Sequence, residues 1–218
     1  MATYLIHACP ARMWYVMQFI VPSMKEQGIT DIRIACDNDH VGNLESYMQS
    51  FKSMKGDGGI WHMNDDIIIS RQFRTMTEFL DEGIVCGFTC MPTTQSGFVK
   101  PVDMWWSFPC IRIPNKLARE CAEWFYAIGR HQFPDHAATG REDDWFFKEF
   151  LKANYPDLEI LNLRPCLVDH IDYLIGGSSL FGWCNQYRAK YFDDQDLVDD
   201  LEQRIKLVKS KPNDRDSR

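Results

Sequence analysis

Three acidic clusters carry the residue types best suited to chemistry: Asp37-Asn38-Asp39, Asn64-Asp65-Asp66 and Glu142-Asp143-Asp144. Carboxylates gathered at one edge repel one another, so they need a cation or hydrogen-bond donors to compensate them. A divalent metal is the simplest compensation. Mn²⁺ or Mg²⁺ prefers oxygen ligands, keeps positions open for water, and bridges to phosphate oxygens, which implies a nucleotide diphosphate as ligand. An acidic residue ahead of a helix also serves as an N-cap, so any one cluster alone reads more readily as capping. Three at equivalent positions favour the metal.

Those positions are set by the elements around them. Thr3 to Ala8 reads as a strand and Met13 to Met24 as a helix stopped by Gly28, with Asp31 to Cys36 alternating as a second strand. Leu44 to Met54 reads as a helix, Ile60 to Met63 as a third strand, and Ile67 to Ser70 leads into a helix reaching about Leu80. Strands are expected at Ile84 to Thr89, Met104 to Ile113, Glu159 to Leu163 and Cys166 to Val168. Helices are expected at Asn115 to Ile128 and Asp143 to Asn154, with an irregular surface segment from His131 to Glu142. Strands alternating with helices imply a single Rossmann-like, mostly parallel α/β sheet covered on both faces, with a small antiparallel part beside the site. Ligands of such sheets collect beyond the carboxyl ends of the strands, where the acidic clusters fall.

The 218 residues suffice for one large domain, expected over 1–185, followed by an amphipathic helix and polar tail over 186–218. Leu197, Val198, Leu201, Ile205 and Val208 form that helix's apolar stripe, expected to dock on the core or on another copy. With 24 Lys+Arg against 31 Asp+Glu, the net charge of -7 argues against a broad face for wrapping phosphate backbones. Eight cysteines without CxxC pairs or zinc spacing read as reduced core residues. No apolar run is long enough to span a bilayer and no signal peptide is evident, so a cytoplasmic setting in a microbial or virus-infected cell is expected. The chain lacks GxGxxG, GxxxxGK[ST] and GxSxG motifs, which disfavours Rossmann dehydrogenases, P-loop phosphotransferases and α/β-hydrolases.

Asn64-Asp65-Asp66, after Ile60-Trp-His-Met63, resembles the D-x-D motif of nucleotide-sugar glycosyltransferases of the A-type fold, with Asn64 standing where Asp is frequent. Gly140-Arg-Glu-Asp-Asp-Trp145 is similar to the acidic element that opens the acceptor-side helix in inverting members. Pro165-Cys-Leu-Val-Asp-His170, ahead of Gly176-Gly-Ser-Ser179, is similar to their late P-x-L-x-x-H segment. The resemblance spans about Thr3 to Leu180 and implies roles for particular residues. Asp66 would be the metal ligand and His170 would complete the metal site. Asn64 or Asp65 would touch the ribose, and Asp37 or Asp39 would meet a uracil-type base. Asp143 would be the general base, flanked by Glu142 and Asp144.

Other residues stand open to a bland and a functional reading. Arg12 would face base or phosphate, or be an exposed residue at a helix start. Trp105 and Trp106 would stack on acceptor sugar or base, or divide between core and lid. His62 reads as structural, and a lone histidine such as His170 is commonly a packed core residue. The loop Thr93 to Lys100 could cover the donor.

The function implied is metal-dependent transfer, with inversion, of a sugar from a nucleotide-diphosphate donor, expected to be a UDP-sugar. The acceptor would be a glycan or small glycoside, or a hydroxymethylated base in DNA flipped toward Asp143. A nucleotidyltransferase or metal-dependent phosphohydrolase would use a similar acidic edge with two metals. A non-catalytic binding module would use the acidic residues as caps.

Overall fold

The computed structural model describes residues 2–90, 97–103, 108–140, 142–176 and 188–210. Its centre is a seven-stranded mixed sheet in the order β2-β1-β3-β7-β5-β8-β6, built from β1 (Thr3–Ala8), β2 (Ile32–Cys36), β3 (Gly59–Asn64), β5 (Ile84–Cys86), β6 (Gly97–Val99), β7 (Cys110–Pro114) and β8 (Ile160–Asn162). β1 lies parallel between β2 and β3, and β5 lies parallel to β8. β7 runs antiparallel to both β3 and β5, and β6 antiparallel to β8. The mostly parallel α/β sheet expected from the sequence is therefore present, with β7 as the reversed strand in its middle. A second, two-stranded antiparallel sheet joins β4 (Ile67–Ile69) to β9 (Val168–His170).

Side chains alternate across the sheet and split the core in two. On β1, Tyr4, Ile6 and Ala8 enter one apolar cluster while Leu5 enters the other. The first cluster lies under the helical segment Met13–Tyr15, Val16–Ile20 and Val21–Glu26, and under the Gln195–Ser210 helix. The second is covered by three helices, Asn43–Ser53, Asn115–Trp124 and Asp143–Asn154. Leu44, Tyr47, Met48 and Phe51 bury one face of the first of these at helical spacing. Asp143, Phe146, Phe147, Phe150 and Leu151 do the same for the last, which places a carboxylate on an apolar stripe.

The structure corrects several sequence-based boundaries. His131 to Glu142 is not irregular throughout, because Pro134–Thr139 forms a helix with Pro at its start and left-handed Gly140 at its end. The strand expected at Cys166 to Val168 lies two residues later, at Val168–His170, where it pairs with Ile67–Ile69. Met104 to Ser107 of the expected fifth strand lie outside the described residues, and so do Trp105 and Trp106. Among the described residues, seven cysteines are free thiols, and no helix is long and apolar enough to cross a membrane.

Candidate functional site

β1 and β3 run side by side, with His7 opposite Asn64, so the segments after them emerge together at one sheet edge. After β1, the chain turns at Cys9 into the short helical turn Pro10–Arg12. The Cys9 amide donates to Asp65 Oδ2 at 2.7 Å. Arg12 is buried rather than exposed, and its Nη1 reaches Asp65 Oδ1 at 2.9 Å and Asp66 Oδ2 at 2.5 Å. Part of the compensation expected from a cation is thus supplied by the chain.

The remainder comes from β9. Antiparallel pairing puts His170 opposite Ile67, and His170 Nε2 lies 3.1 Å from Asp66 Oδ2. Asp172 flanks the other ring nitrogen at 3.8 Å. Burial alone would favour neutral carboxyls, but His170 and Arg12 hold Asp66 well below the usual carboxylate range. Asp65 is instead pushed up, by burial and by the charge of Asp66, with Arg12 opposing. The His170 imidazole holds its proton more firmly than a free one, because Asp66 outweighs the effect of burial.

The Asn43–Ser53 helix bridges this cluster to Glu142-Asp143-Asp144. Tyr47 donates its hydroxyl to Asn64 Oδ1 at 2.6 Å, and Asn43 donates Nδ2 to Asp143 Oδ1 at 2.7 Å. Four residues apart, Asn43 and Tyr47 share one helix face about 6 Å apart along the axis. One helical turn therefore spans the interval between the two acidic groups. The charges of Asp143, Asp66, Asp65 and Asp144, added to burial, all raise the Tyr47 phenol well above its ordinary value. Asn64 and Asp143 are thereby tied to one face of the same helix.

Asp143 is buried and its carboxyl is pushed far up, first by desolvation and then by Asp144. Asp144 retains some solvent exposure, yet crowding by protein and the charge of Glu142 push it up to about 7. Glu142 lies at the start of the helix and contacts the His136 ring through Nδ1, while that ring stacks on Trp145 at 4.0 Å. The backbone amide of Leu44 donates to the Gly140 carbonyl at 3.0 Å, tying the two helix starts together.

No family model and no curated protein matches the chain. Its chemistry must be argued from these residues.

The other expected site residues divide. Asp37 accepts hydrogen bonds from the amides of Val41 and Gly42 at 2.9 and 3.0 Å, shaping the turn before the Asn43 helix, while Asp39 is exposed. Asp37 therefore behaves as a loop-capping carboxylate. His7 escaped the sequence reading, whereas His62 is structural as expected. His7 stacks on Tyr47 with ring centroids 3.6 Å apart and lies 3.0 Å from His62 Nδ1 through its Nε2. Burial keeps both imidazoles neutral, His62 at about 3 and His7 well below its ordinary value with help from His62. The signal available for His7 was its position at the end of a strand otherwise composed of core residues.

The residues suit a hard divalent cation in one specific way. Among the described residues, no group of three or more His, Cys, Asp or Glu side chains is arranged to enclose a metal. Asp66 Oδ1, however, is buried with no hydrogen-bond partner there, an acceptor with an open lone pair. A cation that takes most of its remaining ligands from diphosphate and water needs only one or two protein carboxylates.

Proposed function

We propose that the protein is a metal-dependent glycosyltransferase that moves a sugar from a nucleotide diphosphate, a UDP-sugar by preference, to a hydroxyl acceptor with inversion. The observation that carries this reading is Asp66 facing His170 beside the β4–β9 pair, with Asn64 of the same acidic segment linked to Asp143 through Tyr47 and Asn43. Asp66 Oδ1 would hold Mn²⁺ or Mg²⁺, with His170 beside it. The metal supplies charge stabilisation for the departing diphosphate.

The remaining work falls to the chain. Asn64 has its carbonyl end engaged by Tyr47, which would leave its amide NH₂ to donate to ribose or sugar hydroxyls. Asp143 takes the proton from the acceptor hydroxyl as the new glycosidic bond forms. A carboxyl raised by burial is a stronger base once ionised, which suits that task. Asn43 fixes its orientation. The acidic net charge favours a neutral glycan or small glycoside as acceptor over a hydroxymethylated base in DNA.

Product analysis tests the proposal. A nucleotide-diphosphate sugar incubated with Mn²⁺ and acceptor should yield the nucleoside diphosphate. Nucleoside monophosphate or pyrophosphate would instead point to phosphorus chemistry and sink the reading. Asp143→Asn keeps an acceptor for Asn43, so it should bind donor normally while transfer falls about 10²–10⁴-fold. A steep loss of activity with salt on DNA, absent on oligosaccharides, would assign a DNA acceptor.

A further inference from the structure

We propose that Arg12 is a built-in counter-cation for Asp66 whose charge opposes a divalent metal bound alone, so that metal and diphosphate load together. This rests on the proposed function only for the identity of the diphosphate. Arg12 Nη1 is a single nitrogen that bonds both Asp65 and Asp66. Its partner nitrogen Nη2 is buried with no hydrogen-bond partner among the described residues, and the same holds for Asp66 Oδ1. Both groups are over nine-tenths buried, Arg12 being 7% and Asp66 6% exposed. A buried guanidinium nitrogen and a buried carboxylate oxygen left unpaired in the same ion pair are each costly. Their needs are opposite, since one lacks an acceptor and the other lacks a cation.

A divalent cation at Asp66 Oδ1 would satisfy the oxygen but meet the Arg12 charge at close range. An anion at Nη2 would satisfy Arg12 but meet the repulsion of Asp65 and Asp66. Either ligand alone therefore binds against an unfavourable charge, whereas a metal–diphosphate pair satisfies both groups at once. Thermodynamic linkage makes the effect reciprocal, so each partner raises the affinity of the other. Arg12 also anchors through Nε to the Gly176 carbonyl at 3.4 Å, so its movement on loading would be felt by the chain following β9.

The proposal fixes the sign of a substitution. Removing a cation from an acidic site should strengthen metal binding, whereas merely damaging the site should weaken it. Free Mn²⁺ measured by electron paramagnetic resonance gives the affinity without any nucleotide or turnover. Arg12→Gln, checked for native fold by circular dichroism, should bind Mn²⁺ at least tenfold more tightly than wild type, and Arg12→Lys should stay near wild type. Unchanged or weaker binding in folded Arg12→Gln would overturn the proposal.

The wild-type protein offers a second measurement should that variant fail to fold. The ¹⁵N–¹H resonance of Arg12 Nε should shift on titration with Mg²⁺ plus pyrophosphate, and far less with either alone. A resonance that stays still in all three titrations would also overturn it. If pyrophosphate couples to Mg²⁺ but no nucleotide sugar binds, the glycosyltransferase reading fails while the role of Arg12 stands.

Discussion

Asp143 and Asp144 are neighbouring carboxyls that burial forces toward the neutral form, which would couple the proposed transfer to pH. In the proposed reaction Asp143 acts ionised, so the rate should rise with pH along a limb set by its raised pKa and fall away in acid. Asp144→Asn removes the nearby charge, which should move that limb to lower pH in a pH–rate profile. The same substitution bears on stability. A carboxyl whose pKa is higher in the folded than in the unfolded chain destabilises the fold progressively as pH rises from about 4 through 7. Asp144→Asn should therefore raise the melting temperature at pH 7.5, by about 2–4 °C for each kcal/mol recovered, and leave it nearly unchanged at pH 4. Asp143 could have been placed from the sequence alone, because Phe146, Phe147, Phe150 and Leu151 follow it at helical spacing and put it on the buried stripe. The partnership of Arg12 with Asp65 and Asp66 could not, because they lie 53 and 54 positions further along the chain and only the parallel β1–β3 pairing closes the gap.

At the scale of elements, the Asn43–Ser53 helix carries the site geometry. Its apolar spacing was legible as a helix, but its polar face was not recognised as the link between two acidic groups. Asn43 and Tyr47 become partners of Asp143 and Asn64 only once the helix lies across the ends of β1 and β3. Tyr47→Phe tests the link. Phenylalanine keeps the stack on His7 but leaves Asn64 Oδ1 without its donor, at a cost of about 1 kcal/mol in stability. Calorimetry should show weaker donor binding in this variant, in contrast to Asp143→Asn, where donor affinity is expected to hold. The short β4–β9 sheet was legible only in part. Cys166 to Val168 reads as a short strand and Ile67 to Ser70 as the lead into a helix, because a three-residue strand gives too little periodicity to fix its bounds or register. Register decides that His170 meets Asp66.

At the scale of the whole molecule, the helix Gln195–Ser210 belongs to the same body as the sheet. Val198, Leu201 and Ile205 are buried in the first core cluster, so the stripe read from the sequence is used within the chain. Arg71 strengthens the docking through Asp194 and Asp196. Leu201→Ala should cost about 2–5 kcal/mol, read as a lower denaturation midpoint, without changing the elution volume in size-exclusion chromatography. A change of oligomeric state would mean that the stripe also serves another copy. The α/β class was legible because alternating strand and helix patterns run the length of the chain. The reversal of β7 was not, since strand direction depends on the connection around it. At the sheet edge Arg12 and His170 offset Asp65 and Asp66, so the acidic residues gathered there are largely compensated within the chain. The central claim is that this edge grips the diphosphate of a sugar donor through a metal held by Asp66. Thermal denaturation with a panel of nucleotide-diphosphate sugars, with and without Mn²⁺, tests it most directly. A specific ligand present at 100 times its Kd adds about 2.7 kcal/mol, enough to raise the midpoint by several degrees. The account predicts a Mn²⁺-dependent rise with at least one such sugar, lost in Asp66→Ala, whereas no rise with any donor, or an equal rise in Asp66→Ala, would contradict it.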